Sequence, residues 1–394
     1  MVVFSPYPAD PRPRRAVEAL LKEGMSVDLI CEGDQDSPRR EELDGLEVRR
    51  IPIRRSRGGP LAYLYQYAAF TLISASILAW RTLKRRYHLI HVHNMPDVLV
   101  ASSLVPKALG AKVILDQHDP MPELMMTIFG LGPDSFAVRL IKRLEKWSIA
   151  RANLVVTVNL ACKQIFSARS CHADKIGVVM NSPDSEIFPL HRPESYRSHS
   201  QCLMDPFVIM YHGSLVERNG LDLAIRAVEL VRATVPRVEL RIYGRSTPFL
   251  EKMLQLVRNR SLEDCVRYLG PKRLEELAVE IDKCDVGVVP NPRNAFTEIN
   301  TPTRIFEYLA LGKPVIAPRT AGIQDYFSEN SLLFFDPGSA EQLARQIEHV
   351  YQSPSETDEI ALRGQAVYLA HSWQQERQTF VKLVSELLGG GKAS

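Results

Sequence analysis

The sequence predicts an α/β protein built as two doubly wound domains that face a central cleft. Three observations carry this expectation. Short apolar, β-branched runs alternate with stretches of helical spacing over most of the chain. Residues 182–206, rich in Pro, Ser and His, break that alternation without a period of their own. The 394 residues also exceed what one hydrophobic core serves. The expected division is a first domain over 1–181, a linker over 182–206, a second domain over 207–370, and a terminal helix over 371–394 that packs back on the first domain.

The elements follow in order. Residues 2–4 form a short apolar strand, short because the chain opens at Met1, and a few further residues upstream are expected. Residues 14–23 carry Ala16, Ala19 and Leu20 at helical spacing and close at Gly24, a helix terminator. Strands are expected at 26–31, 46–53, 88–93, 112–116, 154–158 and 175–180, most of them separated by helical segments. The second series places strands at 207–211, 238–243, 266–268, 286–290, 314–317 and 332–335. Alternation of this kind specifies parallel strands with crossover helices, and a ligand site at the carboxyl ends of both sheets.

Composition narrows the function classes. Hydrophobic residues make up 45% and charged residues 24%, which excludes wholesale disorder. Lys+Arg 49 against Asp+Glu 46 leaves a net charge of +3, so no nucleic-acid partner is expected. The six cysteines form no C-x-x-C pair and read as reduced thiols of a cytoplasmic protein. Four prolines and an Arg-rich end in residues 1–15 replace the apolar run of a cleavable signal peptide.

Residues 61–80 carry no charge, and a helix of that length spans about 30 Å. Spanning a bilayer would split one sheet between its two sides, which strand hydrogen bonding forbids. The segment reads as a domain helix, or as one that dips into a membrane interface, and the two are compatible. Arg54, Arg55 and Arg57 precede it, and Arg81, Lys84, Arg85 and Arg86 follow. A membrane surface bound through 61–86 is therefore an expected partner, with the protein peripheral on the inner face of the cell membrane.

Several motifs carry chemistry. In T-P-T-R-I-F-E-Y-L-A-L-G-K-P-V, Thr301-Pro302-Thr303 reads as a helix start, with threonine as cap and proline in the first turn. Helix 304–311 then places Glu307 near an N-terminus that attracts phosphate, where a carboxylate accepts from a ribose diol or simply stays solvated. Tyr211-His212-Gly213-Ser214 leads to Arg218, which offers a fixed charge for a diphosphate or an ordinary surface-loop cation. His118 and Asp119 follow a strand end, so the imidazole either faces the cleft or is a satisfied loop histidine. His91-Val92-His93 puts two imidazoles on one strand face, but no third ligand has metal-type spacing. Asp34-Gln35-Asp36 reads as a solvated turn, and no G-x-G-x-x-G follows a strand, which disfavours a dinucleotide oxidoreductase.

From Ser5 to about Trp373 the sequence resembles the family 4 (group 1) retaining glycosyltransferases, most closely over 88–123, 211–222 and 301–318. The resemblance implies the GT-B fold of two Rossmann-like domains and a metal-independent transferase with no cofactor. It also implies a nucleotide-sugar donor, UDP- or GDP-linked, and as acceptor a sugar or lipid-linked hydroxyl in bacterial surface polysaccharide or glycolipid synthesis. Glu307 matches the second Glu of the family's Glu-x7-Glu motif, which binds the donor ribose; the first would fall at Ile299, with Glu298 one residue away. The implied donor site comprises Gly213, Ser214, Arg218, Gly244, Asn300, Thr301, Arg304 and Glu307. His118, Arg218 and Glu298 are the implied catalytic groups, and Asp10, Arg12, His93, Asn94, Asp119 and Glu123 the acceptor groups. Ser214, Asn219 and Ile299 depart from the commoner pattern, which keeps a non-catalytic nucleotide-sugar-binding subunit as an alternative; a nucleotide-sugar epimerase shares the two-domain architecture, but the T-P-T-R-I-F-E run suits it poorly.

Overall fold

The computed structural model describes residues 1–33, 37–53, 60–193 and 205–389. The turn 34–36, Arg54, Arg55 and Arg57, and 194–204 of the segment read as a linker lie outside the described residues. The chain divides into two units, Met1–Asn181 with Glu376–Ser394, and Ser182–Gln375.

The first unit holds strands β1 (Val2–Pro6), β2 (Val27–Glu32), β3 (Arg40–Leu43), β4 (Leu46–Ile51), β5 (Leu89–His93), β6 (Lys112–Gln117), β7 (Leu154–Thr157) and β8 (Ile176–Val178). They form one sheet in the order β3-β4-β2-β1-β5-β6-β7-β8. Val2, Val92, Val113, Leu115 and Val155 are fully buried, as strands covered on both faces require. Only β3 was not legible as a strand, because R-E-E-L lacks an apolar run. It pairs antiparallel with β4, Leu43 opposite Leu46, across the Asp44-Gly45 turn. Asp-Gly between two strands is a hairpin signal, and the charges of β3 suit a sheet edge.

The second unit holds β9 (Phe207–His212), β10 (Val238–Tyr243), β11 (Val266–Tyr268), β12 (Val286–Val288), β13 (Val315–Pro318) and β14 (Leu333–Phe335). All pair in parallel, in the order β11-β10-β9-β12-β13-β14. Helices Leu221–Val231 and Ala340–Gln352 close the core over Ile209, Leu240 and Val286. Residues 182–193 belong to this unit: Phe188 is buried, His191 N–H donates to Ala310 O, and Gln365 Nε2 donates to His191 O. Helix Trp373–Leu387 returns the chain to the first unit, where Glu376 accepts from Met180 N–H and Phe380 lies against His91.

Strand order reverses between β1 and β5 in one sheet and between β9 and β12 in the other. Open parallel sheets bind ligands beyond the carboxyl ends of their strands at such reversals. The candidate functional side chains cluster around those two places.

Candidate active site

In the second unit β9 ends at His212 and runs into Gly213, whose φ of 126° is a conformation that favours glycine. After β10 comes Gly244, where a Cβ would lie 2.3 Å from Gly213 O. The two glycines let adjacent strand ends abut, leaving backbone rather than side chains at the reversal. Ser214 contributes its carbonyl to the next loop, accepting from Tyr211 Oη at 3.1 Å and Asn219 Nδ2 at 2.8 Å. Arg218 rides on the following turn, Glu217–Asn219, partly exposed.

Helix Thr303–Ala310 faces this corner. Its first turn has no side-chain cap, unlike the expectation for Thr301, whose hydroxyl donates to Gly322 O instead. Ile305 N–H donates to Pro302 O at 3.0 Å, and no cap side chain covers the start of this helix, where an anion is favoured. Arg304 donates from Nη1 to His212 O and from Nη2 to Asn291 Oδ1, both at 2.9 Å, and lies over the Tyr211 ring. It joins the β9 end to the loop after β12 across the reversal, so its charge stays while much of its donor capacity is spent.

Glu307, one turn further on, faces His212. Tyr308 Oη lies 2.8 Å from Met210 O and 2.9 Å from His212 Nδ1. The imidazole is thereby fixed, with Nε2 2.5 Å from Glu307 Oε2. One carboxylate oxygen is held and the other remains for a ligand, with 15% of the side chain exposed. His212, Tyr308 and Asn291 received no role from sequence. The only signal was the placement of His212 as the last strand residue before Gly213.

Glu298, an implied catalytic group, is engaged on both sides. Its Oε1 accepts from Ala321 N–H at 3.2 Å and its Oε2 lies 3.3 Å from Arg293 Nε. It holds the chain before Asn300, which is partly exposed, against the turn at Ala321. The structure gives it a supporting position rather than a free carboxylate.

In the first unit Asp116, at the end of β6, is the hub. Arg12 donates to it from Nε at 3.0 Å and from Nη2 at 2.6 Å, and uses Nη1 on Val179 O and Asn181 Oδ1. His91 and His93 stack with centroids 4.2 Å apart and approach Asp116 at 3.4 and 3.5 Å. These three groups have the separation of a metal-ligand set, a third partner that spacing alone did not reveal. Arg12 already neutralises both carboxylate oxygens, and a cation beside its guanidinium would be repelled.

His118 sits in front of this hub, with Nε2 3.0 Å from His93 Nδ1 and part of its ring exposed. Burial holds its imidazolium form below the ordinary histidine value even though Asp116 opposes the shift, so the ring is neutral at physiological pH. Asn94 fixes the His118 loop: its Oδ1 accepts from His118 N–H, and its Nδ2 donates to Asp97, Gln117 Oε1 and Asp119 O. Asp119 is partly exposed beside it.

Four of the expected acceptor groups are engaged within the first unit. Arg12, His93 and Asn94 are buried behind His118, each engaged in holding the strand ends together. Glu123 is buried as well and takes both Nη atoms of Arg169, at 2.6 and 2.9 Å. Asp10 caps helix Pro11–Lys22 by accepting from Arg12 N–H. His118, Asp119 and Asp10 are the sequence-predicted groups of this unit that keep exposed surface.

Asp97 adds a pH-dependent element. Its burial, with Glu145 as a second cause, pushes its carboxyl up to about 7. The folded chain then holds this proton over a range where the unfolded chain has lost it, so stability falls as pH rises from about 4 to about 7. Asp97→Asn is expected to gain a few kcal/mol over wild type at about pH 8 and almost nothing near pH 4. Urea midpoints of both proteins across that range check it; a difference independent of pH would refute the assignment.

Both units have counterparts among known proteins. Residues 9–182 match the family described as "Glycosyl transferase 4-like domain", and residues 206–353 match "Glycosyl transferases group 1". The chain is 26% identical over 220 residues to the amylovoran biosynthesis glycosyltransferase AmsK of Erwinia amylovora, covering 55% of this chain and 52% of that one. It is 23% identical over 231 residues to the probable glycosyltransferase WbjE of Pseudomonas aeruginosa, covering 58% and 56%. The chain spans about half the length of the curated relatives it matches. Sucrose-phosphate synthase from Thermosynechococcus elongatus superposes with a TM-score of 0.75 at 20% identity, covering 96% of this chain and 93% of that one. Anabaena HepE in complex with UDP-glucose superposes at 0.69 and 17%, covering 98% and 99%. At such identities the likeness is one of fold, but the two sequence matches run through both units: the chain belongs to the group 1, family 4 glycosyltransferases and has the GT-B fold.

Proposed function

We propose that the protein moves a glycosyl group from a nucleotide sugar to an acceptor hydroxyl, with retention and without a metal, in the cytoplasm. The observation that carries this reading is the Glu307 carboxylate, held by His212 beside an uncapped helix start at the β9–β12 reversal. Glu307 accepts from the ribose diol. The diphosphate lies against the first-turn amides of Thr303–Ala310 and the backbone at Gly213, with Arg218 as the added charge. That HepE was solved with UDP-glucose supports a donor of this class.

In the transfer the bond from the anomeric carbon to phosphate breaks, and its electron pair leaves with the nucleoside diphosphate. The acceptor oxygen bonds to the same face of that carbon and gives its proton to the departing phosphate. Fixed amides and Arg218 stabilise the leaving charge, the main catalytic term available to such a site. The first unit takes the acceptor at the edge carrying His118 and Asp119. Neutral His118 orients the acceptor hydroxyl and bears no net charge.

A thermal-shift screen with UDP-, GDP- and ADP-sugars tests the reading, followed by nucleotide release with the donor that responds. A protein that only binds nucleotide sugars would shift and release no nucleotide. His118→Ala is expected to keep the donor-induced shift and to lower turnover by about a hundredfold, the size of a lost acid–base or orienting group. EDTA is expected to leave turnover unchanged. Loss of the shift in His118→Ala with turnover intact would overturn the division between the units.

A further inference from the structure

Helix Pro60–Lys84 is turned inside out. Plotted at about 100° per residue, Gln66, Phe70, Ser74, Leu78, Arg81 and Thr82 fall on one half of the circumference, and all are buried. The opposite half carries Tyr65, Leu72, Ile73, Trp80 and Leu83, exposed from 41% to 77%. Inside, Arg81 pairs with Glu47 at 2.6 Å and Asp28 at 2.7 Å. A surface helix ordinarily shows the reverse, with its apolar stripe against the core. Among the described residues no helix is long and apolar enough to cross a membrane.

The charge around this face has one sign. Between Glu47 and Asp97 the sequence holds no acidic residue. At the helix end the Lys84 ammonium lies 3.8 Å above the Trp80 ring, and Lys84 and Arg86 are exposed. A Cβ on Gly110 would lie 3.9 Å from Arg86 Nη2, which brings in the neighbouring exposed Leu109. An apolar face with a Trp near its cationic end suits the boundary between acyl chains and anionic headgroups.

We infer that the outward face of Pro60–Lys84 docks on an anionic lipid bilayer, the helix lying in the surface plane. Leu72 and Ile73 enter the acyl region, and Lys84 and Arg86 meet the headgroup charge. This attachment stands apart from the transferase reading, since it needs no donor. Where both hold, the acceptor is a hydroxyl presented at the bilayer.

Flotation of the full chain with vesicles tests it. The wild type is expected to float with vesicles containing about a third phosphatidylglycerol and far less with phosphatidylcholine alone. Leu72→Asp/Ile73→Asp is expected to lose about tenfold or more in lipid partition while keeping the wild-type circular dichroism spectrum. Lys84→Glu/Arg86→Glu, substituted at exposed sites, is expected to lose the preference for anionic vesicles. Failure of the wild type to float on either vesicle would overturn the inference, as would equal flotation of all variants. So would a dimer, seen by light scattering, that Leu72→Asp/Ile73→Asp separates without any vesicle binding, since a second copy would then cover the face.

Discussion

Glu307→Ala is expected to abolish the stabilisation that a cognate nucleotide sugar gives the protein, with affinity lower by about a hundredfold or more. The size follows from what is removed: hydrogen bonds from a diol to a carboxylate are charge-assisted and contribute roughly 1.5–3 kcal/mol each. Glu307→Gln keeps the shape and loses the charge, so it falls between alanine and wild type. His212→Ala is expected to weaken binding by about tenfold, because it frees a carboxylate that Nε2 holds at 2.5 Å without touching the donor. Titration calorimetry at fixed salt reads all three, and the melting temperatures without ligand show whether each variant is folded. If Glu307→Ala binds donor as wild type does, the ribose is held elsewhere and the donor site must be redrawn.

The parts of this site that the sequence disclosed are those whose signal is local. Most strands of the second unit could be read because they are apolar runs bounded by turn residues, as strands buried on both faces are, while β10 and the edge strand β11 carry charged residues between apolar ones. The place of Glu307 on a short helix could be read because its motif is contiguous. Asp116 could not be assigned a role, because its partners are set by register: β5 and β6 place His93 opposite Asp116, and Arg12 arrives from 104 residues away. The same holds for His212, whose bonds to Tyr308 and Glu307 join a strand end to a helix 95 and 96 residues later. The helix over 61–80 was plain in length and apolarity. Which half faced inward was not, because Arg81, Gln66 and Ser74 are buried against the usual preference of their side chains. β3 was missed despite its Asp-Gly turn, since an edge strand of charged residues carries no alternation to detect.

Asp116→Ala is expected to cost about 3–5 kcal/mol of stability at neutral pH, the effect of leaving a buried guanidinium without its carboxylate. Arg12 is 8% exposed and Asp116 3%, so water reaches neither well enough to replace the partner. Arg12→Met removes the charge and keeps the volume, leaving Asp116 with imidazoles only, and is expected to cost somewhat less. The double variant Arg12→Met/Asp116→Ala should be more stable than Asp116→Ala alone, because no charge then remains buried and unpaired. The pH dependence separates this pair from Asp97. Burial opposes ionisation of Asp116, but Arg12 and then His118 overcome it and hold the carboxyl well below its usual range. A depressed carboxyl gives stability that is present above its unfolded value and is lost as pH falls through the folded one, so the cost of Asp116→Ala should be constant from about pH 5 to about pH 8 and shrink only below about pH 4. Urea denaturation of the three variants against wild type gives both results. A cost under about 1 kcal/mol would mean that the hub is not what fixes the strand ends behind His118.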